Sequence, residues 1–178
     1  MAEQFTSLSE TLIDFIGQQH LFFVGTAAST GKVNVSPKGM DSLRILSPRR
    51  VVWLNLTGSG NESAAHVQAS PRMTLMFCSF DQQPLILRLY GEAEVVHPRD
   101  AGWSDLIGLF PEYTGTRQLF DLQIQLVQTS CGYAVPFYDY AGERPTLTKW
   151  SEKKGREGIV RYWQDTNRTS LDGLPTNI

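Results

Sequence analysis

The hydrophobic residues of this chain recur mainly at the two-residue period of a β-strand. The clearest segment is residues 119–129, where Leu122, Ile124 and Leu126 alternate with glutamines, which predicts a strand buried on one face. Further apolar runs predict strands at 21–28, 33–36, 51–56, 72–80 and 85–96, with a shorter one at 42–46. Many of these runs have hairpin spacing, which predicts about six strands paired mostly antiparallel.

Three segments have helical periodicity instead. Residues 7–19 predict an amphipathic N-terminal helix, in which Ser7 and Glu10 have the spacing of a capping box. Residues 100–110 predict a short helix, and residues 151–163 predict a C-terminal helix weakened by two glycines. A doubly wound sheet needs long helices between nearly all of its strands, so this pattern favours a mainly β fold, an antiparallel barrel with short inserted helices.

Two residues are predicted to shape the sheet locally. Pro37 has no N–H to donate, so the strand that contains it cannot be a central one. Gly91 lies inside the long apolar run at 85–96, where a glycine indicates a bend or a bulge. Both features predict an irregular sheet.

The composition is that of a globular protein with a single domain covering residues 1–178. Hydrophobic residues make up 41% and charged residues 19% of the 178 positions, and the formal net charge of -2 argues against non-specific nucleic-acid binding. No apolar run approaches the roughly 20 residues that span a bilayer, and the N-terminus has no signal-peptide pattern. Two cysteines make no disulfide framework, so we expect a cytoplasmic protein.

A turn with the sequence TGSG separates an apolar strand from a short helix. Gly58 and Gly60 have no Cβ and let a ligand approach the backbone closely, and Asn61 is a good helix N-cap. A helix N-terminus favours an anion, which makes this turn a plausible phosphate cradle. A turn that only reverses the chain and caps the helix fits the pattern equally well. Side chains that can add hydrogen bonds here are those of Ser59, Asn61 and Ser63.

The turn does not match the common nucleotide-binding motifs. A Walker A loop needs Gly-Lys-Ser or Gly-Lys-Thr at the helix start, which is absent. A dinucleotide fingerprint needs a third glycine where Ser63 stands, and the helix that follows is too short for that fold, although Asp81 lies near the position of a ribose-binding acid.

Three basic residues could meet a phosphate. Lys38 follows a strand and lies between a proline and a glycine, which restrains its direction. On this local pattern alone, an ordinary exposed lysine is the favoured interpretation. Arg72 begins a strand. Arg88 lies inside the apolar run LILRLY and therefore needs a solvated cleft or a partner, and a carboxylate partner fits at least as well as a ligand.

No catalytic constellation or metal site can be identified. The three histidines, His20, His66 and His97, have no metal-ligand spacing. Cys78 alternates with apolar residues and is predicted to be in the core, whereas Cys131 lies in a loop with no adjacent base. The aromatic loop at 133–140 could form the wall of a site for a flat ring system.

Several segments, in this order, resemble one branch of the pyridoxamine phosphate oxidase-like family of FMN-binding split-barrel proteins. They are GKVNVSPKGMDSLRIL, VVWLNLTGSGNESAAH, PRMTLMF, LILRLYGEAEVV, VQTSCGYAVP and NRTSLDGLP. The likeness as a whole runs from about Val24 to Pro175. The resemblance implies a six-stranded split barrel and a homodimer with FMN at the subunit interface.

The resemblance also implies a set of cofactor-binding residues. The FMN phosphate is expected to meet Ser36, Lys38, Ser59, Asn61 and Ser63, together with the amides of the turn at Gly58 and Gly60. The flavin ring is expected along the strand that offers Trp53, Leu54, Asn55 and Leu56. The partner subunit is expected to supply Arg88, Cys131, Gly132 and Tyr133.

The chain also departs from the family pattern. It lacks the terminal Arg- and His-bearing segment that binds the pyridoxal substrate, so pyridoxamine phosphate oxidation is not expected. Asn61 stands where a second basic residue is common, and Arg72 or Arg88 is expected to compensate. The leading hypothesis is an FMN-dependent oxidoreductase that acts on a small molecule. The alternatives are a non-catalytic module that binds flavin or haem, and a deazaflavin- or nicotinamide-dependent reductase.

Overall fold

A computed structural model describes residues 2–178 and consists of one antiparallel sheet with four helices. The strands are β1 (Glu3–Phe5), β2 (Phe22–Thr26), β3 (Asn34–Lys38), β4 (Leu43–Ser47), β5 (Arg50–Leu56), β6 (Arg72–Cys78), β7 (Leu85–Val96) and β8 (Thr116–Cys131). The helices are α1 (Glu10–Gly17), α2 (Glu62–Ala69), α3 (Trp103–Ile107) and α4 (Thr146–Thr166). The predicted mainly β architecture is confirmed.

The strands pair in the order β3-β2-β6-β7-β8-β5-β4, and β1 adds to β8. All of these pairings are antiparallel. The sheet has eight strands instead of about six. The additional strands are β1, whose three exposed residues carry no readable alternation, and β4, which matches the shorter segment predicted at 42–46. Since β3 and β4 do not pair with each other, the sheet stays open.

Two local predictions about the sheet are confirmed. Pro37 lies in β3, which is an edge strand. The β7–β8 register shifts between Tyr90 and Gly91, which marks the expected bulge. A Cβ built on Gly91 would lie 2.0 Å from the carbonyl oxygen of Gln123, so only glycine fits between these two backbones.

The core lies inside the curved sheet and on both faces of β5. Trp53 stacks on Phe120 with ring centroids 4.4 Å apart, in a cluster that includes Phe22 and Phe77. On the other face, β5 and β8 pack against α3 through Leu106 and further apolar side chains. Consequently β5 is buried over residues 51–55 and is partly exposed only at its two end residues, Arg50 and Leu56.

The helix boundaries differ from the predicted ones. Helix α1 begins after Ser9, whose Oγ accepts a hydrogen bond from the N–H of Leu12 (3.3 Å), so the predicted capping box at Ser7 is wrong. Helix α3 is shorter than predicted. Helix α4 is longer than predicted and is interrupted at Gly155, whose φ of 65° is one that glycine adopts readily. No helix in residues 2–178 has both the length and the hydropathy to cross a membrane.

Candidate functional site

A cleft of about 340 Å³ lies where β3, the end of β5, the TGSG turn and the start of β8 meet. We call it the cationic cleft, because two basic side chains face it. Eight of the predicted cofactor-binding residues line it: Ser36, Lys38, Asn55, Leu56, Gly58, Ser59, Gly60 and Ser63. Four further residues, which the sequence did not indicate, complete the lining: Asn34, Glu62, Arg117 and Leu171.

Lys38 is the first of the two cations. It is the last residue of β3, it is half-buried, and its Nζ lies 5.4 Å from the ring centroid of the buried Trp53. No salt bridge within residues 2–178 involves Lys38. Burial, with a smaller contribution from the positive charge of Arg117, lowers the pKa of Lys38 to about 8. An ammonium held in this way is stabilised by an anion that enters the cleft.

Arg117, at the start of β8, is the second cation and is almost fully buried. Its Nη1 donates to the carbonyl oxygen of Gly60 (3.0 Å) and to Oδ1 of Asn167 (2.7 Å). Its buried Nε has no acceptor in the described part of the chain, and burial lowers the pKa of its guanidinium to about 10. A buried guanidinium without a carboxylate partner is costly, and an anion in the cleft would offset that cost.

The TGSG turn is held from behind through its carbonyl groups. Asn167 Nδ2 donates to the carbonyl oxygens of Gly58 (3.2 Å) and Ser59 (3.4 Å), while Arg117 takes that of Gly60. Within the described residues, the N–H groups of Ser59, Gly60 and Asn61, which follow these three carbonyls, have no acceptor. Because the C=O and N–H of a trans peptide point in opposite directions, the donors that follow the held carbonyls face away from Asn167. These N–H groups are available to an anion.

Asn61 lies at the N-cap position of α2, as predicted, but its side chain does not cap the helix. The side chain forms no cap hydrogen bond and is buried outside the lining of the cleft. Instead, its amide pairs with that of Gln118 in both directions, at 2.7 and 3.3 Å. Gln118 pairs with Asn55 in the β5–β8 ladder, so its side chain lies beside the end of β5, close to the turn that contains Asn61. Asn61 therefore fixes the turn to β8, and its contact with a phosphate stays a prediction.

The strand expected to carry a flavin ring is only partly accessible. Trp53 and Leu54 are buried in the two halves of the core, so the side chains of these two residues do not reach the cleft. Asn55 and Leu56 line it. With its amide oxygen turned toward Arg117, Asn55 accepts from Nη2 at 3.0 Å and from Gln118 Nε2 at 3.2 Å. Asn55 therefore helps to orient the guanidinium.

The residues expected from a partner subunit lie elsewhere on the chain. Arg88 Nη1 donates to the hydroxyl of Ser130 (3.0 Å), and no carboxylate forms the salt bridge considered for it within residues 2–178. Cys131 is exposed at the end of β8, and Tyr133 is 83% exposed. None of these residues, nor Gly132, lines the cleft of its own chain. Their contribution to a partner's site stays a prediction.

Neither Arg72 nor Arg88 lines the cleft of its own chain. Arg72 Nε donates to the hydroxyl of Ser70 (3.1 Å), outside the cleft. The second basic residue that lines the cleft is Arg117. The sequence signal for Arg117 was slight: a basic residue immediately before the best-defined alternating strand. Arg117 lies beside the turn only because β8 pairs with β5, and the sequence alone does not show which strands pair.

The remaining candidates behave as packing or surface residues. His66 is buried with its Nδ1 3.2 Å from the hydroxyl of Thr26, and no cluster of metal-ligating side chains occurs in the described chain. Cys78 is buried, and this burial raises the pKa of its thiol. In the loop after β8, Tyr133, Phe137 and Tyr138 are exposed, which leaves their rings available for contacts outside this chain.

Comparison with a family model and with a curated relative gives the same family. The family model described as pyridoxamine 5′-phosphate oxidase matches residues 8–131. The chain is 38% identical, over an alignment of 190 positions, to ustO of Aspergillus flavus, a pyridoxamine 5′-phosphate oxidase family protein. The alignment covers 96% of this chain and 76% of that protein.

Solved structures share the fold at low sequence identity. A variant of HupZ from Group A Streptococcus has 17% identity and a TM-score of 0.54, covering 68% of this chain and 98% of that one. HutZ, the haem storage protein of Vibrio cholerae, has 17% identity and a TM-score of 0.51 with 71% and 98% coverage. A pyridoxinephosphate oxidase family protein from Clostridium acetobutylicum has 13% identity and a TM-score of 0.52 with 67% and 84% coverage. The split-barrel fold is thereby confirmed.

Proposed function

Because the chain belongs to the pyridoxamine 5′-phosphate oxidase family, we propose that it binds FMN with the phosphate in the cationic cleft. The observation that carries this proposal is a pair of cations, the half-buried Lys38 and the buried Arg117, which face one cleft and form no salt bridge with a carboxylate in the described chain. The free N–H groups of the TGSG turn add hydrogen-bond donors for a phosphate. The donor set fits a phosphate monoester better than it fits a neutral ligand.

The residues of the cleft divide into those that carry charge and those that orient. Lys38 and Arg117 neutralise the phosphate, and hydroxyl groups of Ser36, Ser59 and Ser63 can donate to its oxygens. Asn55 holds the guanidinium of Arg117 in place. When bound, FMN supplies hydride and electron transfer, while the protein supplies binding and orientation.

We further propose that the protein is an oxidoreductase that acts on a small molecule through this cofactor. Glu62 is the only carboxylate among the residues that line the cleft, and it accepts the N–H of Leu171 (3.0 Å). Hydride transfer at a flavin needs no protein acid or base, so the composition of the cleft is compatible with such chemistry.

A homodimer with FMN between the subunits is part of the proposal. Arg88, Cys131, Gly132 and Tyr133 lie around one end of β8, whereas Arg117 lies near the other end. Since these residues lie at the end of β8 far from the cleft of their own chain, they can contact a ligand of this kind only in the cleft of another copy. Tyr133 is exposed and free to make such a contact.

The test is a pair of titrations of the purified protein, with FMN and with riboflavin, which lacks the phosphate. FMN is expected to bind at least ten times more tightly than riboflavin, with quenching of flavin fluorescence. Reduction of the bound flavin by a reduced nicotinamide, followed as bleaching of its visible absorbance, then tests the oxidoreductase proposal. Equal affinity for the two flavins would refute the phosphate site.

A haem-binding module is the second candidate function. HutZ shares the fold and is described as a haem storage protein, and His20 of this chain is exposed and stacks on Tyr140 with ring centroids 3.6 Å apart. If haem binds here, haemin should give a Soret band that shifts in a His20→Ala variant. If haemin binds and FMN does not, the module is favoured over the flavin oxidoreductase.

A further inference from the structure

The C-terminal segment, residues 167–178, packs directly behind the TGSG turn. Asn167, the residue that follows α4, is completely buried, and its backbone oxygen accepts from Thr176 Oγ1 (2.5 Å). Gln68 of α2 donates to the carbonyl oxygen of Thr176 (2.9 Å). The segment is therefore fixed both to itself and to the helix that the turn begins.

Two further contacts attach this segment to the edge of the cationic cleft. The N–H of Leu171 donates to both carboxylate oxygens of Glu62, at 3.2 and 3.0 Å, and Leu171 itself lines the cleft. Asp172 forms a salt bridge with Lys32 (2.6 Å), which precedes β3. The C-terminal segment thus contacts both sides of the site, the turn and the approach to β3.

The amide of Asn167 connects the cation to the turn. Its Oδ1 accepts from Arg117 Nη1, and its Nδ2 donates to the carbonyl oxygens of Gly58 and Ser59. The side chain of Asn167 therefore orients the guanidinium of Arg117. It also sets the direction of the peptide groups of the TGSG turn, whose N–H bonds point away from Asn167. An aspartate could not do both, because a carboxylate only accepts hydrogen bonds.

We infer that Asn167 is a positioning residue of the phosphate site, acting through Arg117 and the TGSG turn. The inference rests on the proposed FMN function. The family model ends at residue 131, so this role for the C-terminal segment is not part of the match. A purely structural role, in which Asn167 only ends α4, predicts equal effects on all flavins.

The experiment compares FMN with riboflavin in the native protein and in the variants Asn167→Asp and Asn167→Ser. We expect the affinity for FMN to fall at least tenfold in both variants. In Asn167→Asp the turn carbonyls lose their donor, and the new carboxylate pairs with Arg117 in competition with the phosphate; in Asn167→Ser both contacts are lost. The affinity for riboflavin should stay within twofold. Gln164→Glu is the matched control: it makes the same change from amide to carboxylate three residues away, at an exposed position of α4, and should leave the FMN-to-riboflavin ratio unchanged.

A second measurement needs no variant. In hydrogen exchange of the native protein, FMN should slow exchange in residues 58–60 and 167–176 more than saturating riboflavin does. If the native protein does not prefer FMN over riboflavin, the proposed function itself fails. If the native protein prefers FMN but the variants keep the same ratio, the inference alone is overturned. The same holds if the two flavins protect the segment equally.

Discussion

The half-buried ammonium of Lys38 makes a quantitative prediction about pH. Its pKa is lowered to about 8, first by burial and then by the nearby positive charge of Arg117. A bound phosphate dianion favours the charged form of Lys38 and raises its pKa again. Binding of FMN should therefore take up a proton above pH 8, and the affinity should fall as the pH rises through this value.

The size of the effect follows from the pKa of the ligand-free protein. With a value of about 8, Lys38 is about 90% charged at pH 7 and about 10% charged at pH 9. The affinity for FMN should accordingly fall about tenfold over this interval, which corresponds to about 1.4 kcal/mol. The charge of the FMN phosphate changes little over this range, because a phosphate monoester loses its second proton with a pKa of about 6.

The assay is a fluorescence titration with FMN at pH 7, 8 and 9, repeated with riboflavin. Lys38→Arg should bind FMN with little pH dependence, since a guanidinium stays charged throughout. Lys38→Met should bind FMN weakly at every pH. Riboflavin should show no comparable trend. If the native affinity for FMN is constant between pH 7 and 9, or if riboflavin follows the same curve, the reasoning about Lys38 is wrong.

The same shift has the opposite consequence for the ligand-free protein. The pKa of Lys38 is lower in the folded state than in the unfolded chain, so folding disfavours the charged form. The resulting loss of stability is fully present below pH 8 and disappears as the pH rises toward about 10.5. At pH 7, Lys38→Met should raise the free energy of unfolding by at most about 3 kcal/mol. Lower stability of this variant in denaturant at pH 7 would contradict the account.

Three further predictions concern single substitutions. Arg117→Met should weaken FMN binding by about 10- to 150-fold in titrations and leave riboflavin binding unchanged, because a charge-assisted hydrogen bond contributes about 1.5–3 kcal/mol; an equal loss for both flavins would refute a phosphate contact. Gly91→Ala should lower the free energy of unfolding by at least about 2 kcal/mol in a denaturant titration, since the new Cβ would lie 2.0 Å from the Gln123 carbonyl oxygen. The control Gly17→Ala has open space around the new Cβ and should be neutral or stabilising by up to about 1 kcal/mol in the same assay. Gly155→Ala should cost about 1–2 kcal/mol by the same measurement, because φ at this position is 65°, and no loss there would contradict the interruption of α4.

Local patterns predicted the elements of the fold well. The alternation at 119–129 identified β8, and the predicted limits of β7, 85–96, agree with the structure. Pro37 and Gly91 were assigned correctly, because a missing donor and a missing Cβ act on the nearest backbone. The three-residue strand β1 was missed, since its stability comes from pairing with β8 and not from its own sequence.

The candidate site was predicted only where its residues lie close together along the chain. Lys38 and the TGSG turn were noticed as candidates from local signals, and the family resemblance implied that they form one site. Arg117 and Asn167 were not, because they contact the turn across 57 and more than 100 positions of sequence. Asn61 is of a residue type that favours the N-cap, and it occupies that position, but its side chain pairs with Gln118, 57 residues away, instead of capping α2. Such contacts depend on strand pairing, which a single sequence does not contain.

The central claim is that the cationic cleft holds the phosphate of FMN. A crystal structure of the protein grown with FMN tests it most directly. The account predicts phosphate oxygens within hydrogen-bond distance of Lys38 Nζ, of the Arg117 guanidinium and of N–H groups of the TGSG turn. A bound FMN whose phosphate lies outside this cleft, with Lys38 and Arg117 not in contact with it, would contradict the account.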